Sequence, residues 1–274
     1  DQPRLKSGNE YYISGQYNIQ TEKLVRGELD DEFTTFGRTV PGGVIDYQLT
    51  LTNTTGSTIS TMTLMDVLPS IGDLGITDNI DRGSQFTPQL TEAIQLPSQW
   101  TDRVDVYYST ALTPERDDLI RHTNYPDTTE QLSNPEGAQA PNWVLASEVD
   151  DWSSIHSFKI ELSEGVEWID GEDIAIAFSM MAPEAADVDS SVLDKTVNPT
   201  QRAAWNSFAI ATDQGQPVEP ARVGVYMDLD NSVQLTKQSE DGELLEGAAF
   251  TLFNEAGDEV ATGLTTDENG ILFI

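Results

Sequence analysis

Apolar and polar residues alternate with a period of two along most of this chain, and few folds accommodate such a pattern. Short runs rich in β-branched and aromatic residues are bounded by Gly, Pro, Asn and Asp, which is typical of β-strands. No segment has the pattern of a long helix. Strands are predicted at residues 17–26, 44–52, 62–68, 104–108, 155–162, 174–180, 205–211 and 222–229. Their regular spacing predicts an all-β fold built as a β-sandwich.

Two stretches interrupt the alternation, residues 72–101 and 113–142, and both are rich in Pro, Asp, Thr and Gln. We interpret them as long loop insertions in the sandwich. Structural elaboration is the simpler interpretation of these insertions, and ligand binding by them is the alternative.

A domain boundary is predicted near Asp228, where the segment DLDN precedes a new strand at residues 232–237. We expect a preceding linker and first-strand region at 1–20, a sandwich domain at 21–227 and a truncated second domain at 228–274. The truncation is inferred from the final segment GILFI, which reads as the middle of a strand.

The charge of the chain excludes several classes of function. It has 14 Lys and Arg against 47 Asp and Glu, a net charge of -33, which repels nucleic acid and anionic membrane surfaces. It has no cysteine, so disulfides and thiolate chemistry are absent. No apolar run reaches the roughly 18 residues that a membrane-spanning helix requires. We therefore expect neither nucleic-acid binding nor membrane insertion.

The last part of the chain, SVQLTKQSEDGELLEGAAFTLFNEAGDEVATGLTTDENG, closely resembles the start of a Cna-B-type (prealbumin-like) domain of Gram-positive adhesins and pilins. The matching positions are Leu235, Thr236, Lys237, Asp241, Gly242, Leu245, Gly247, Ala248, Phe250, Leu252, Gly257, Thr266, Asp267 and Gly270. In that family a first-strand Lys joins an Asn or Asp of the last strand. The resemblance implies that Lys237 is the half-site of a truncated domain, and strand phase predicts that Lys237 faces inward.

The larger part of the chain is similar to Ig-like repeat and Cna-A-like domains of the same surface proteins, most specifically at PGGVIDYQLTLTN and DVLP. Such domains often form an isopeptide bond between a Lys on the first strand and an Asn on the last, assisted by an Asp. Carried over to this chain, the resemblance implies a bond between Lys23 and Asn206, with Asp66 as the catalytic acid.

Strand phase provides a test of these assignments, because successive side chains of a strand point to opposite faces. Lys23, Asp66 and Asn206 each share a face with the apolar residues of their strands, so all three are predicted to face the core. Asp46 shares a face with polar residues and is predicted to face solvent. A buried Lys requires a partner or a shifted pKa.

Burial of Lys23 would favour its neutral, nucleophilic amine, and a protonated Asp66 would hydrogen-bond and polarise the carbonyl of Asn206 before ammonia leaves. No cofactor is needed. An alternative remains open at this point. Lys23 could reach solvent at the sheet edge, Asp66 could cap a turn before Pro69, and Asn206 could pair with backbone.

Together these features predict a structural or adhesive segment of an extracellular, cell-wall-attached protein, either an adhesin or a pilus-like stalk. The expected partners are neighbouring modules of the same protein. The alternative function is an adhesin module that binds a host matrix protein or a glycan through residues 72–142. An enzyme is disfavoured, because no nucleophile elbow, phosphate loop or HExxH segment occurs, and no metal site is predicted.

Overall fold

The structure is a computed structural model that describes residues 19–121, 132–229, 234–254 and 256–274. Its strands are β1 Ile19–Gly27, β2 Phe36–Thr39, β3 Val44–Asn53, β4 Met62–Val67, β5 Gln89–Leu90, β6 Val104–Ser109, β7 Val144–Leu145, β8 Ser157–Leu162, β9 Asp173–Met181, β10 Ala203–Thr212, β11 Gly215–Val218, β12 Val223–Met227, β13 Gln234–Thr236, β14 Ala249–Phe253, β15 Glu259–Thr265 and β16 Ile271–Phe273. The helices are α1 Asp117–Arg121 and α2 Ser190–Leu193, with 3-10 turns at Ala146–Glu148, Trp152–Ser154, Ala185–Asp187 and Pro199–Gln201.

The predicted all-β class is confirmed, and the predicted strands occur with described boundaries shifted by two residues or fewer. Residues 17 and 18 of the first predicted strand, and 232 and 233 of the last, lie outside the described residues. The chain divides into two compact units, one that ends at Asp228 and one that runs from Leu229 to Ile274.

The first unit contains two sheets. One has the strand order β1-β3-β9-β5, and the other has the order β2-β12-β10-β4-β8-β6-β7, with β11 paired to β10. Side chains of the two sheets meet in the core, where the rings of Phe158 on β8 and Phe178 on β9 lie 5.3 Å apart, edge to face. The unit is therefore a sandwich in which antiparallel pairs predominate.

Strand β3 illustrates how the alternating pattern produces this core. Ile45, Tyr47, Leu49 and Leu51 are all buried, whereas the residues between them are partly exposed. One face of the strand therefore contributes to the interior, and burial of such side chains contributes roughly 1.5–3 kcal/mol each.

Strands β4 and β10 are different, because both faces of each are covered. All six residues of β4 are buried, including Thr63 and Met65 on the face that points away from the first sheet. The insertions cover that outer face through a second apolar cluster of Met65, Val67, Ile76, Leu119, Leu132, Ala209 and Ala211. The described parts of the insertions, residues 72–101, 113–121 and 132–142, are thus largely irregular in backbone, and they complete the packing around the two central strands.

The second unit contains two antiparallel strand pairs, β13 with β16 and β14 with β15. Among its described residues from 234 onward, the buried side chains are those of Thr266 and Leu272. These strand pairs therefore enclose little apolar core.

Candidate functional site

Lys23 lies on β1 and points into the space between the two sheets of the first unit. Its side chain is only 1% exposed. Its Nζ atom lies 5.5 Å from the ring centroid of Tyr47, 5.3 Å from that of Phe178 and 5.6 Å from that of Phe208. The inward orientation predicted from strand phase is the one that the structure has. The alternative in which Lys23 reaches solvent does not match this burial.

Asp66 and Asn206 approach Lys23 from the opposite sheet. They lie on the adjacent strands β4 and β10, where Phe208 pairs with Asp66 and Ser207 pairs with Val67. Both side chains are fully buried. The three residues that the resemblance singled out, separated by 43 and 140 positions in sequence, are therefore brought together.

The Asp66 carboxylate contacts both of the other residues through different oxygens. Lys23 Nζ donates to Asp66 Oδ2 at 2.5 Å, and Asn206 Nδ2 donates to Asp66 Oδ1 at 2.7 Å. Asp66 is thus hydrogen-bonded to the amine and to the amide nitrogen at the same time. This arrangement could carry a proton from one nitrogen to the other.

The Asn206 amide is oriented differently from the sequence-based expectation. Its Nδ2 also donates to the carbonyl oxygen of Val67 at 3.0 Å, and a carbonyl oxygen only accepts, so the nitrogen must lie on this side. The amide nitrogen, and not the carbonyl oxygen, therefore faces Asp66. The Asn206 Oδ1 atom is buried with no hydrogen-bond partner among the described residues.

Burial lowers the pKa of Lys23 to about 8, because an ammonium group is poorly solvated among the aromatic rings. The nearby Asp66 carboxylate opposes this shift, and the positive charge of Arg82 adds to it. Near neutral pH an appreciable fraction of the amine is therefore uncharged. Burial also raises the pKa of the Tyr47 hydroxyl, so this ring remains neutral.

Arg82, in the insertion between β4 and β6, is a site neighbour that the sequence interpretation missed. Its guanidinium group is buried and donates to the carbonyl oxygens of Val67 and Ser207 and to Asp73. The one available signal was an arginine in a predicted loop of a chain with only 14 basic residues against 47 acidic ones. Loop sequences do not reveal such packing.

Two other groups of charged residues lie elsewhere in the first unit. Asp46 accepts hydrogen bonds from Arg26 at 2.8 Å and Ser179 at 2.6 Å and is partly exposed, as its strand phase predicts. Lys159 on β8 is a second buried lysine, with Asp118 and Glu161 each 3.1 Å from its Nζ. Lys159 provides an internal comparison for Lys23.

Lys237 differs from its predicted inward orientation. It follows β13, its side chain is exposed, and its backbone N–H donates to the carbonyl oxygen of Gly270. The physical reason is that the described strands of the second unit enclose little core into which a lysine could point. That Lys237 is the half-site of an isopeptide bond stays a prediction.

Within the described ranges, no group of three or more His, Asp or Glu side chains is arranged to hold a metal ion. No helix among the described residues is long and apolar enough to cross a membrane.

Comparison with known proteins by sequence gave no match, either to protein-family models or to curated proteins. Comparison of structures gave matches to surface proteins of Gram-positive bacteria. BcpA, the major pilin subunit of Bacillus cereus, is 12% identical with a TM-score of 0.33, and the match covers 92% of this chain and 55% of BcpA. The full-length major pilin SpaD of Corynebacterium diphtheriae is 14% identical with a TM-score of 0.39, covering 93% of this chain and 48% of SpaD.

A third match is the C-terminal domain of the antigen I/II-family protein AspA of Streptococcus pyogenes, which is 10% identical with a TM-score of 0.34 and covers 77% of this chain and 47% of that one. The chain thus spans about half the length of each of these three structures. Two of them are major pilins, and the third is an antigen I/II-family protein. At these identities and TM-scores, what the chain does is inferred from the residues around Lys23.

Proposed function

We propose that this chain is a structural segment of a bacterial cell-surface protein, of the adhesin or pilus-like class, whose sandwich is locked by a self-formed isopeptide bond between Lys23 and Asn206. The observation that supports this most directly is the position of Asp66 between the two reacting groups. Asp66 accepts hydrogen bonds from Lys23 Nζ, the attacking nitrogen, and from Asn206 Nδ2, the nitrogen that would leave as ammonia. The bond would join the two sheets through the core.

The chemistry uses only these three side chains. The neutral Nζ of Lys23 attacks Cγ of Asn206, and a new C–N bond forms. Asp66 takes a proton from the attacking nitrogen and gives one to the leaving nitrogen, and the Cγ–Nδ2 bond breaks. The lysine amine loses one hydrogen, which becomes the third hydrogen of the departing ammonia. Atoms and charge balance without an oxidant or a cofactor, and the reaction occurs once per chain.

Intact mass spectrometry tests the bond. We expect the mature wild-type chain to weigh one ammonia less than its sequence, and a tryptic digest to contain one branched peptide that carries both Lys23 and Asn206. Lys23→Ala and Asp66→Ala should each restore the full mass, because the first variant lacks the nucleophile and the second lacks the proton carrier.

A matched control is Lys159→Ala, which removes the other buried lysine that contacts carboxylates. This variant should keep the deficit of one ammonia. A wild-type chain at full sequence mass after complete maturation would exclude the bond. If the mass deficit disappears in Lys159→Ala but persists in Lys23→Ala, the bond involves Lys159, and the proposed bond at Lys23 is wrong.

The surroundings of such a segment follow from the same proposal. Its neighbours would be further modules of one surface protein attached outside the cell to the wall. Several large apolar side chains of the insertions, including those of Ile76, Phe86, Trp100 and Leu119, are buried in the first unit. This use of the insertions supports a structural role more than binding of a host protein or glycan through 72–142.

A further inference from the structure

We propose that Arg82 is a positioning residue for the isopeptide reaction, which holds β4 and β10 at the spacing that the reacting groups require and places a positive charge near the lysine. This inference rests on the proposed bond between Lys23 and Asn206. It assigns a role in that reaction to a residue outside the Lys, Asp and Asn set.

The contacts of Arg82 lie at the positions next to the site. Its Nη1 donates to the carbonyl oxygen of Val67 at 2.7 Å, and its Nη2 donates to that of Ser207 at 3.3 Å. Val67 follows Asp66 on β4, and Ser207 follows Asn206 on β10. One planar group therefore links both strands at the register pair adjacent to the reacting side chains.

Arg82 and Asn206 also share an acceptor. The Val67 carbonyl oxygen accepts both from Arg82 Nη1 and from Asn206 Nδ2. Arg82 therefore fixes the atom that orients the Asn206 amide, and through it the direction from which Cγ can be attacked. A displacement of about 1 Å in such a geometry can cost about a hundredfold in rate.

The guanidinium group is itself held in place from the other side. Its carboxylate neighbours are Asp73, with Oδ2 at 3.3 Å from Nη1, and Glu219, with Oε1 at 3.7 Å from Nη2. Glu219 in turn accepts from the backbone N–H groups of Ile76 and Thr77 in the same insertion. A largely buried charged network thus attaches the insertion to the site. These contacts hold the segment around Ile76 and Thr77 over β4 and β10.

Electrostatics provides the second part of the role. The charged groups that act on the Lys23 amine are Asp66 on β4, Arg82 and Glu219, and the titratable hydroxyl of Tyr47 lies on β3 beside it. Burial lowers the pKa of Lys23 to about 8, and the charge of Arg82 lowers it in the same direction. As the pH falls below about 8, the neutral fraction of the amine that can attack becomes smaller. Loss of the Arg82 charge should therefore move the reaction to higher pH.

The experiment follows the mass of the full chain after cell-free synthesis, with samples taken over time at pH 6 to 10. The wild-type rate should level off above about pH 8. In Arg82→Met the rate at pH 7 should fall about tenfold or more, and the half-maximal pH should rise. Arg82→Lys keeps the charge but not the planar fork, so its half-maximal pH should stay near that of the wild type while its maximal rate falls.

Arg103→Met is the control, because Arg103 also pairs with a carboxylate, but its hydrogen-bond partners are Glu172 and the Glu167 carbonyl oxygen, which do not belong to the site. It should leave both the rate and the half-maximal pH unchanged. Wild-type kinetics in Arg82→Met would overturn the positioning role while leaving the bond intact, as would an equal fall in rate at every pH in both Arg82 variants. A wild-type chain that never loses ammonia would instead overturn the bond, and this role with it.

Discussion

The double variant Lys23→Met, Asp66→Leu is expected to melt about 10–20 °C below the mature wild-type chain, even though its core remains filled. The bond would close a loop of 183 residues (206 minus 23). If the chain-entropy relation for disulfides applies, closing this loop stabilises the fold by about 5 kcal/mol through the unfolded state. That is a large share of the stability of a typical domain.

The double variant is chosen because it removes the bond without leaving a buried charge unpaired. Replacing a buried ion pair by apolar side chains is often neutral or stabilising, whereas Lys23→Met alone leaves the Asp66 carboxylate without its cation. We therefore expect the single variant to be less stable than the double one. Calorimetry on all three proteins measures this order, and a double variant that melts within about 3 °C of the wild type would contradict the loop-closure effect.

The largest mechanical effect is expected when the chain is pulled from its two ends. In the wild type, force entering β1 would pass from Lys23 directly to Asn206, and the residues between them would carry no load. In Lys23→Met these residues would be free to extend, which adds roughly 600 Å of contour length. Single-molecule force spectroscopy measures this difference directly.

Lys159→Met serves as the comparison in the pulling experiment. Lys159 lies within the proposed loop, so its replacement should leave the short contour length of the wild type unchanged. Equal contour lengths for the wild type and Lys23→Met would show that no covalent link shields the loop. A long contour length in Lys159→Met alone would place the link elsewhere.

Strand phase predicted the part of the site that depends on local sequence. Around Lys23 and along β3 only one face of the strand is buried. The alternation of side chains between the two faces was therefore enough to predict which of them point inward. For Asp66 the alternation was less informative, because both faces of β4 are buried and a residue on either face would be covered. The short strands β2, β5, β7 and β11 have too few residues for any periodicity to be visible.

The remaining features depend on contacts between distant segments. Arg82 reaches the site from an insertion whose sequence reads as a loop, and its partners on β4 and β10 are identified only by the fold. The orientation of the Asn206 amide depends on the backbone carbonyl of Val67, which no side-chain pattern encodes. Lys237 has the matching sequence position, yet its exposure depends on how much core surrounds it.

The shared acceptor at Val67 has a consequence for the cross-linked state. Release of ammonia removes the Asn206 nitrogen that donates to the Val67 carbonyl oxygen, and a buried carbonyl oxygen without a donor costs about 1–3 kcal/mol. Arg82 Nη1 donates to the same oxygen and is not consumed. The Val67 carbonyl therefore keeps a partner after the exchange, so the product does not incur a desolvation penalty at this atom that would favour the reverse reaction.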